Sequence, residues 1–432
     1  MNYKVIGGKK LSGSVVTNIS KNATVAILAA SLLNRGTTTI KRVPKIEEVH
    51  RLIEVLKSIG AEVEWTNGDV VVSPPKKLTP EKMDRAAAAK TRSTVLFTAP
   101  LAHLFESFEL PLPGGCNLGG RTMMPHIQAL GALGIQILKG SEGMYSVSSK
   151  EKTVGEVAMY ESSDTGTESV LMAAAKIPGK TTIKYASANY MVQDLCTFLE
   201  VCGVRVEGIG TSTLIVHGVD DIDRDVVFYP SEDPIESMFF ISLAATTSSE
   251  LTIKRCPMDF LELELVTLGQ MGQKYEYGTK YTAENGRTVL ADVTLFPSKL
   301  LAPPEKIAPR PYPGINIDNL PFFVPVATQA EGRTLIHDWV YENRAIYYME
   351  MAKLGANMLL ADPHRVFIEG PTKLHAADIE APPALRPATI ILIGMLAAEG
   401  ESTLREVYPI NRGYERMHER LTELGASVEA VE

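Results

Sequence analysis

Residues 113–121 read PGGCNLGGR. Pro113 and the glycines at 114, 115, 119 and 120 suit neither a helix nor a strand interior. Cys116 and Arg121 therefore sit on a pliable loop with no core to fill. A guanidinium near a thiol favours the thiolate, the reactive form of cysteine. The same guanidinium can bind an oxyanion through two parallel N–H donors. Cys116 and Arg121 are thus candidates for chemistry on an anionic substrate. The remaining cysteines read differently: Cys196 and Cys202 lie in or beside the apolar stripe of DLCTFLEVCG, and Cys256 reads as structural too.

Four cysteines without paired spacing and eight scattered histidines without an HExxH motif predict free thiols, no metal and no cofactor. The net charge of −8 argues against a general nucleic-acid binder but allows a local basic pocket. The opening MNYKVIGGKK lacks an apolar run of signal-peptide length, and no run of 18 apolar residues occurs. The expectation is a cytoplasmic protein with no membrane partner, of undetermined oligomeric state. At 432 residues and 45% hydrophobic content, two globular domains are expected.

The elements that must carry the loop repeat along the chain. The junctions SIGAEVE, ALGIQIL, VCGVRVE, QMGQKYE, KLGANML and ELGASVE recur about every 70 residues, each an apolar helix ending at a glycine before a β segment. Their glycines are Gly60, Gly134, Gly203, Gly272, Gly355 and Gly425, suited to the left-handed position that ends a helix. Leu52, Val55, Leu56 and Ile59 share one helix face, and Asn67-Gly68 marks a hairpin. Upstream of most of these glycines lies a second motif, LNRGTTTI, KIPGKTTI, TSSELTI, QAEGRTLI or AAEGESTL, each after an Ala-rich apolar run. Each unit reads helix–strand–helix–hairpin, so the class is α/β, with three units in each of two domains.

With six such units, the PGGC…R loop and SKNA at 20–23, the sequence resembles the enolpyruvyl transferases over its whole length. The branch acting on UDP-N-acetylglucosamine is the nearer, and the EPSP synthases are the more distant sister. The resemblance implies a two-domain inside-out α/β barrel of six βαβαββ repeats. Residues 21–231 would form the N-terminal domain carrying the mobile cysteine loop. Residues 1–20 plus 232–432 would form the C-terminal domain, with the active site in the cleft between. The implied reaction moves enolpyruvyl from phosphoenolpyruvate to the 3'-hydroxyl of UDP-N-acetylglucosamine by addition and elimination, the first committed step of peptidoglycan precursor synthesis.

The same resemblance implies residue roles. Lys21, Arg121, Arg386 and Arg412 would hold the substrate's carboxylate and phosphate. Cys116 would protonate C3 and be the thiol that fosfomycin alkylates, and Asp318 would act on the acceptor hydroxyl unless it merely caps a helix. Asn22, Arg92, Asp164, Gly166, Val340, Glu342 and Arg344 would line the substrate sites, with Glu342 alternatively bracing its turn through Arg344. Several positions depart from the family pattern: Thr122 and Met124 after the loop, Ser162 and Asp164 where Lys-x-Ser-x-Gly is usual, Pro234 in DPIE, and Ala188-Asn189 for an Arg-Glu pair. These remove positive charge where a diphosphate would lie. Ala384 replaces the acid expected to orient Arg386, leaving Asp378 or Glu380 as possible substitutes. Two alternatives therefore stand beside the main expectation: transfer to another nucleotide or sugar, and a catalytically weak binding paralogue.

Overall fold

The computed structural model describes residues 1–73, 77–111, 114, 122–140 and 143–432. Two compact units emerge. One comprises Met1–Asn18 with Glu232–Glu432, and the other the described residues between Ile19 and Ser231.

The described strands form six separate open sheets and no closed barrel, three sheets in each unit. Within a complete repeat one strand runs parallel to the next and the remainder is antiparallel. Glu156–Ala158 pairs parallel with Gly179–Lys184, which then pairs antiparallel with Thr213–Gly218. Val226–Phe228 does the same for Thr38–Ile40, and Asp378–Glu380 for Gly400–Arg405.

The Ala- and Leu-rich helices are buried, as their composition dictates. All of Ala23–Ala30 in the helix Lys21–Ala30 is enclosed, as is every residue of Pro234–Thr247. In Leu385–Ala397, which shares a unit with Pro234–Thr247, burial extends from Leu385 to Leu396. These helices pack on one another inside their own unit: Pro234–Thr247, Phe323–Gln329 and Leu385–Ala397 are mutual neighbours. Sheets lie outside helices, the reverse of an ordinary barrel. The second helix of a repeat is amphipathic instead. Glu47–Ser58 buries Val49, Leu52, Ile53, Val55 and Leu56 and exposes much of its polar face.

All six junction glycines have positive φ, between 83° and 102°. Only glycine adopts that conformation without strain, so each ends its helix where the motif places it. The Asn67-Gly68 turn joins Glu62–Thr66 to Asp69–Ser73, and both turn residues have positive φ, as a two-residue hairpin of primed type requires. The chain's two ends meet in one sheet. Asn2–Gly7 lies between Gly400–Arg405 and Ser427–Val431, pairing antiparallel with each.

Candidate active site

Cys116 and Arg121 lie outside the described residues. The described cysteines, Cys196, Cys202 and Cys256, are buried free thiols. Burial pushes the thiols of Cys202 and Cys256 up to about 12, so they are inert as nucleophiles near neutrality.

In the unit containing residues 232–432, Asp318 sits just before the short helical turn Leu320–Phe322. It does not cap that turn: Asn319 holds the cap position and no side chain caps it. The Asp318 carboxylate instead faces two guanidinium groups, with Arg386 Nη2 3.4 Å from Oδ2 and Arg344 Nη1 3.5 Å from Oδ1. Its side chain keeps 25% of its surface exposed, whereas those of Arg386 and Arg344 retain 8% and 1%. The acid is thus oriented from behind and open in front.

Arg344 differs from the expected substrate contact. Its Nε and Nη2 donate to the two oxygens of Asp338 at 2.6 and 2.9 Å, and Nη2 also reaches Ile317 O at 2.7 Å. Tyr348 Oη donates to Asp338 Oδ2 at 2.5 Å, and the guanidinium lies 4.4 Å from the Tyr341 ring centre. Burial opposes its charge, yet Tyr348, Asp338 and Tyr341 together hold Arg344 more firmly protonated than usual. A bidentate pair this enclosed positions Asp318 and has no open face for a ligand. Its neighbours on the same turn are outward: Val340 is 42% exposed, and Glu342 is exposed as well.

Arg386 opens the helix Leu385–Ala397 behind Ala384. Neither Asp378 nor Glu380 replaces the missing acid. Both sit exposed on the strand Asp378–Glu380, where Asp378 pairs with Arg405 at 3.3 Å. Arg386 is held instead by Asp318 and by Tyr414 Oη, which accepts from Nη1 at 2.8 Å. Burial drives the Tyr414 hydroxyl well above its ordinary range, although Arg386 pulls the other way, so Tyr414 stays neutral. Tyr414 was legible in NRGYER, two residues after Arg412, but a tyrosine carries no charge signal. Arg412 itself lies in the last turn of Tyr408–Gly413.

The DPIE segment forms a helix start. Asp233 Oδ1 accepts the N–H groups of Ile235 and Glu236 at 2.8 and 3.3 Å. Pro234 takes the first helical position, where its missing N–H costs nothing.

The unit between Ile19 and Ser231 carries the other described candidates. Lys21 begins the helix Lys21–Ala30 behind the Ser20 cap and is half-buried. Asn22 Nδ2 donates to Tyr190 Oη at 3.0 Å. Arg92 opens the helical turn Arg92–Phe97, and its Nη2 reaches Thr122 O at 3.1 Å. Met124 follows, 50% exposed, on the first turn of Met124–Gly131.

Asp164 begins the helix Asp164–Ala175. Its Oδ1 accepts from Ser187 Oγ at 2.5 Å and its Oδ2 from Asn189 Nδ2 at 3.2 Å. The positive end of that helix therefore already holds a carboxylate of the chain. The Gly166 N–H donates to Ser163 Oγ at 3.2 Å, and an added Cβ there would lie 3.1 Å from Met159 Cε. Ser162 Oγ reaches Ala186 O at 3.4 Å. Sequence reasoning missed His126, buried between Ser169 Oγ (3.1 Å) and Thr165 Oγ1 (3.2 Å). No described cluster of His, Cys, Asp or Glu could hold a metal ion.

The layout, three buried helices ringed by three sheets in each of two units, is that of the enolpyruvyl-transferase fold. The enolpyruvyl transferase NikO of Streptomyces tendae matches with a TM-score of 0.87 at 22% identity, over 99% of this chain and 98% of that one. EPSP synthase from Acinetobacter baumannii matches with a TM-score of 0.77 at 17% identity, over the full length of both. Residues 5–421 match the family of EPSP synthase (3-phosphoshikimate 1-carboxyvinyltransferase). The UDP-N-acetylglucosamine 1-carboxyvinyltransferase of Bradyrhizobium diazoefficiens is 32% identical over 99% of this chain and 98% of its own. That of Treponema denticola is 31% identical over 100% and 99%. The chain belongs to this enolpyruvyl transferase family of enzymes. No helix among the described residues is long and apolar enough to cross a membrane.

Proposed function

We propose that the protein transfers the enolpyruvyl group of phosphoenolpyruvate to the 3'-hydroxyl of UDP-N-acetylglucosamine and releases phosphate, the first committed step of peptidoglycan precursor synthesis. The observation that carries this reading is Asp318, a partly open carboxylate oriented by two buried arginines, in a chain similar at full length to enzymes named for that reaction. Asp318 accepts the proton of the acceptor hydroxyl, or orients it, as its oxygen bonds to C2 of phosphoenolpyruvate. Cys116 delivers a proton to C3, giving a tetrahedral ketal; the substrate's own negative charge keeps that proton on the thiol beside Arg121. Loss of a C3 proton with departure of the C2 phosphate then restores the double bond. Lys21, Arg121, Arg386 and Arg412 supply the charge that a carboxylate and a phosphate require, and Asn22 and Arg92 take part in binding substrate. Asp164, Gly166, Val340 and Glu342 fall to the acceptor.

A second reading, transfer to another nucleotide or sugar, is favoured by one observation. The Asp164 carboxylate occupies its helix start with Ser187 and Asn189 as partners, where a phosphate of the acceptor would meet like charge. The deciding experiment is phosphate release from phosphoenolpyruvate with no acceptor, with UDP-N-acetylglucosamine, with UMP and with other UDP-sugars. Release with UDP-N-acetylglucosamine alone supports the first reading. Release only with another acceptor replaces the substrate and keeps the mechanism. Silence with every acceptor removes the first reading and leaves the binding paralogue or an acceptor outside this panel.

A further inference from the structure

Glu264 is 2% exposed on the helix Glu262–Gln270. Its Oε1 accepts the Asn316 backbone N–H at 2.9 Å and Asn319 Nδ2 at 2.8 Å. Asn316 Oδ1 in turn accepts the Asp318 N–H at 2.8 Å. We propose that Glu264 is a positioning residue for the reaction, fixing the Asn316–Asn319 turn and through it the direction of the Asp318 carboxylate. The proposal rests on the role given to Asp318 above.

Three observations support it. First, the turn is gripped from both sides: Glu264 holds Asn316 and Asn319, while Arg344 holds Ile317 O at 2.7 Å. Asp318 is the residue left between the grips. Second, the network is costly as a source of stability. Asn319 is fully buried, and its Oδ1 has no hydrogen-bond partner among the described residues. An unsatisfied buried acceptor is destabilising, and burial raises the Glu264 carboxyl while its bonds to Asn319 and Asn316 pull it down. Apolar side chains of similar volume would fill the space without that cost. Third, the device occurs twice. In the other unit, Glu48 on the second helix of its first repeat is 6% exposed and accepts from Thr91 Oγ1 and from Ser93 Oγ at 3.0 Å. Those two residues flank Arg92. In both units a buried glutamate from a first repeat clamps the turn that carries a chemistry-bearing residue of the next.

The test compares full-length wild type with Glu264→Leu, Glu264→Gln, Asn319→Ala and Asp318→Asn. Phosphate release from phosphoenolpyruvate with UDP-N-acetylglucosamine is measured beside amide hydrogen exchange over residues 314–322. Glu264→Leu is expected to lower kcat at least about tenfold, with KM for phosphoenolpyruvate within about twofold, and to speed exchange in the turn. Glu264→Gln keeps Oε1 as acceptor for both donors and is expected to restore rate and protection. Asn319→Ala, which removes one donor, falls between and serves if Glu264→Leu does not fold. Wild-type kcat in Glu264→Leu or Asn319→Ala, while Asp318→Asn is impaired, overturns the proposal. So does unchanged exchange in both variants, whatever the activity, or a Glu264→Gln as impaired as Glu264→Leu. An active Asp318→Asn enzyme would instead remove the role of Asp318, leaving the hold of Glu264 on the turn to the exchange data.

Discussion

At the residue scale, chemistry-bearing side chains divide into those that present a face and those that hold another in place. Asp318 is one-quarter exposed and Arg344 almost wholly enclosed, although both appear in the sequence as charged residues near a turn. The free energy of burying a guanidinium is recovered only by close partners, and Asp338 supplies them. Cys196, Cys202 and Cys256 are all buried, so Cys116, with a glycine-rich sequence around it, is the thiol we propose for reaction. Cys116→Ala is expected to lower turnover at least about a hundredfold, the scale of a lost general acid, with phosphoenolpyruvate binding retained by calorimetry. Fosfomycin should add one mass increment at Cys116. Modification confined to Cys196 or Cys202 would reassign the reactive thiol.

At the element scale, glycine-ended helices set the spacing of the repeats, and the junctions differ in what surrounds them. Gly425 has φ of 90° with open space where a Cβ would go, so Gly425→Ala should cost about 1–2 kcal/mol from conformation alone. At Gly134, φ is 83° and a Cβ would lie 2.0 Å from Glu151 O, so Gly134→Ala should cost about 1–3 kcal/mol more. Urea unfolding of the two variants measures the difference, and equal losses would refute the steric argument.

His126 joins Met124–Gly131 to Asp164–Ala175, and burial, with Arg92 adding repulsion, pushes its pKa down to about 3. The unfolded chain binds the imidazole proton near pH 6.5 and the folded one does not, so the neutral histidine's contribution is present above that pH and lost as pH falls. Between pH 7 and 5 the stability of wild type relative to His126→Phe should drop by about 2 kcal/mol. A pH-independent difference would mean that His126 takes up its proton in the fold as readily as in the unfolded chain, and the burial argument would fail.

At the scale of the whole molecule, the first residues belong to the last sheet. Asn2–Gly7 is an interior strand between Gly400–Arg405 and Ser427–Val431, and Ser12–Val16 pairs with Glu250–Pro257. Tyr3, Val5, Leu11 and Val15 are all buried. Their burial is worth about 6–12 kcal/mol, comparable with the whole stability of a domain, about 5–15 kcal/mol. Removal of residues 1–18 should therefore abolish the cooperative melt of the unit built from residues 232–432 and leave unpaired strand edges that aggregate. A truncated protein with a native melting profile by circular dichroism would show that these strands are dispensable.

The sequence by itself determined the repeat, the α/β class and the glycine-ended helices, because periodicity and the left-handed backbone preference are local properties written into a few adjacent residues. The fate of Cys196 and Cys202 was local too, since an apolar stripe is enough to bury a thiol. The enolpyruvyl-transferase resemblance was equally legible in ordered motifs such as SKNA, PGGC and YENR. Only the tertiary structure decided which charges meet. Asp318 and Arg386 are 68 positions apart and Glu264 and Asn319 are 55 apart, and no periodicity links such distances. Ala384 pointed to Asp378 or Glu380 because those are near in sequence, whereas the fold gives Arg386 to Tyr414 and Asp318. Partners of a buried charge are chosen by what the packed helices bring within about 3 Å, and that choice exists only once the chain has folded.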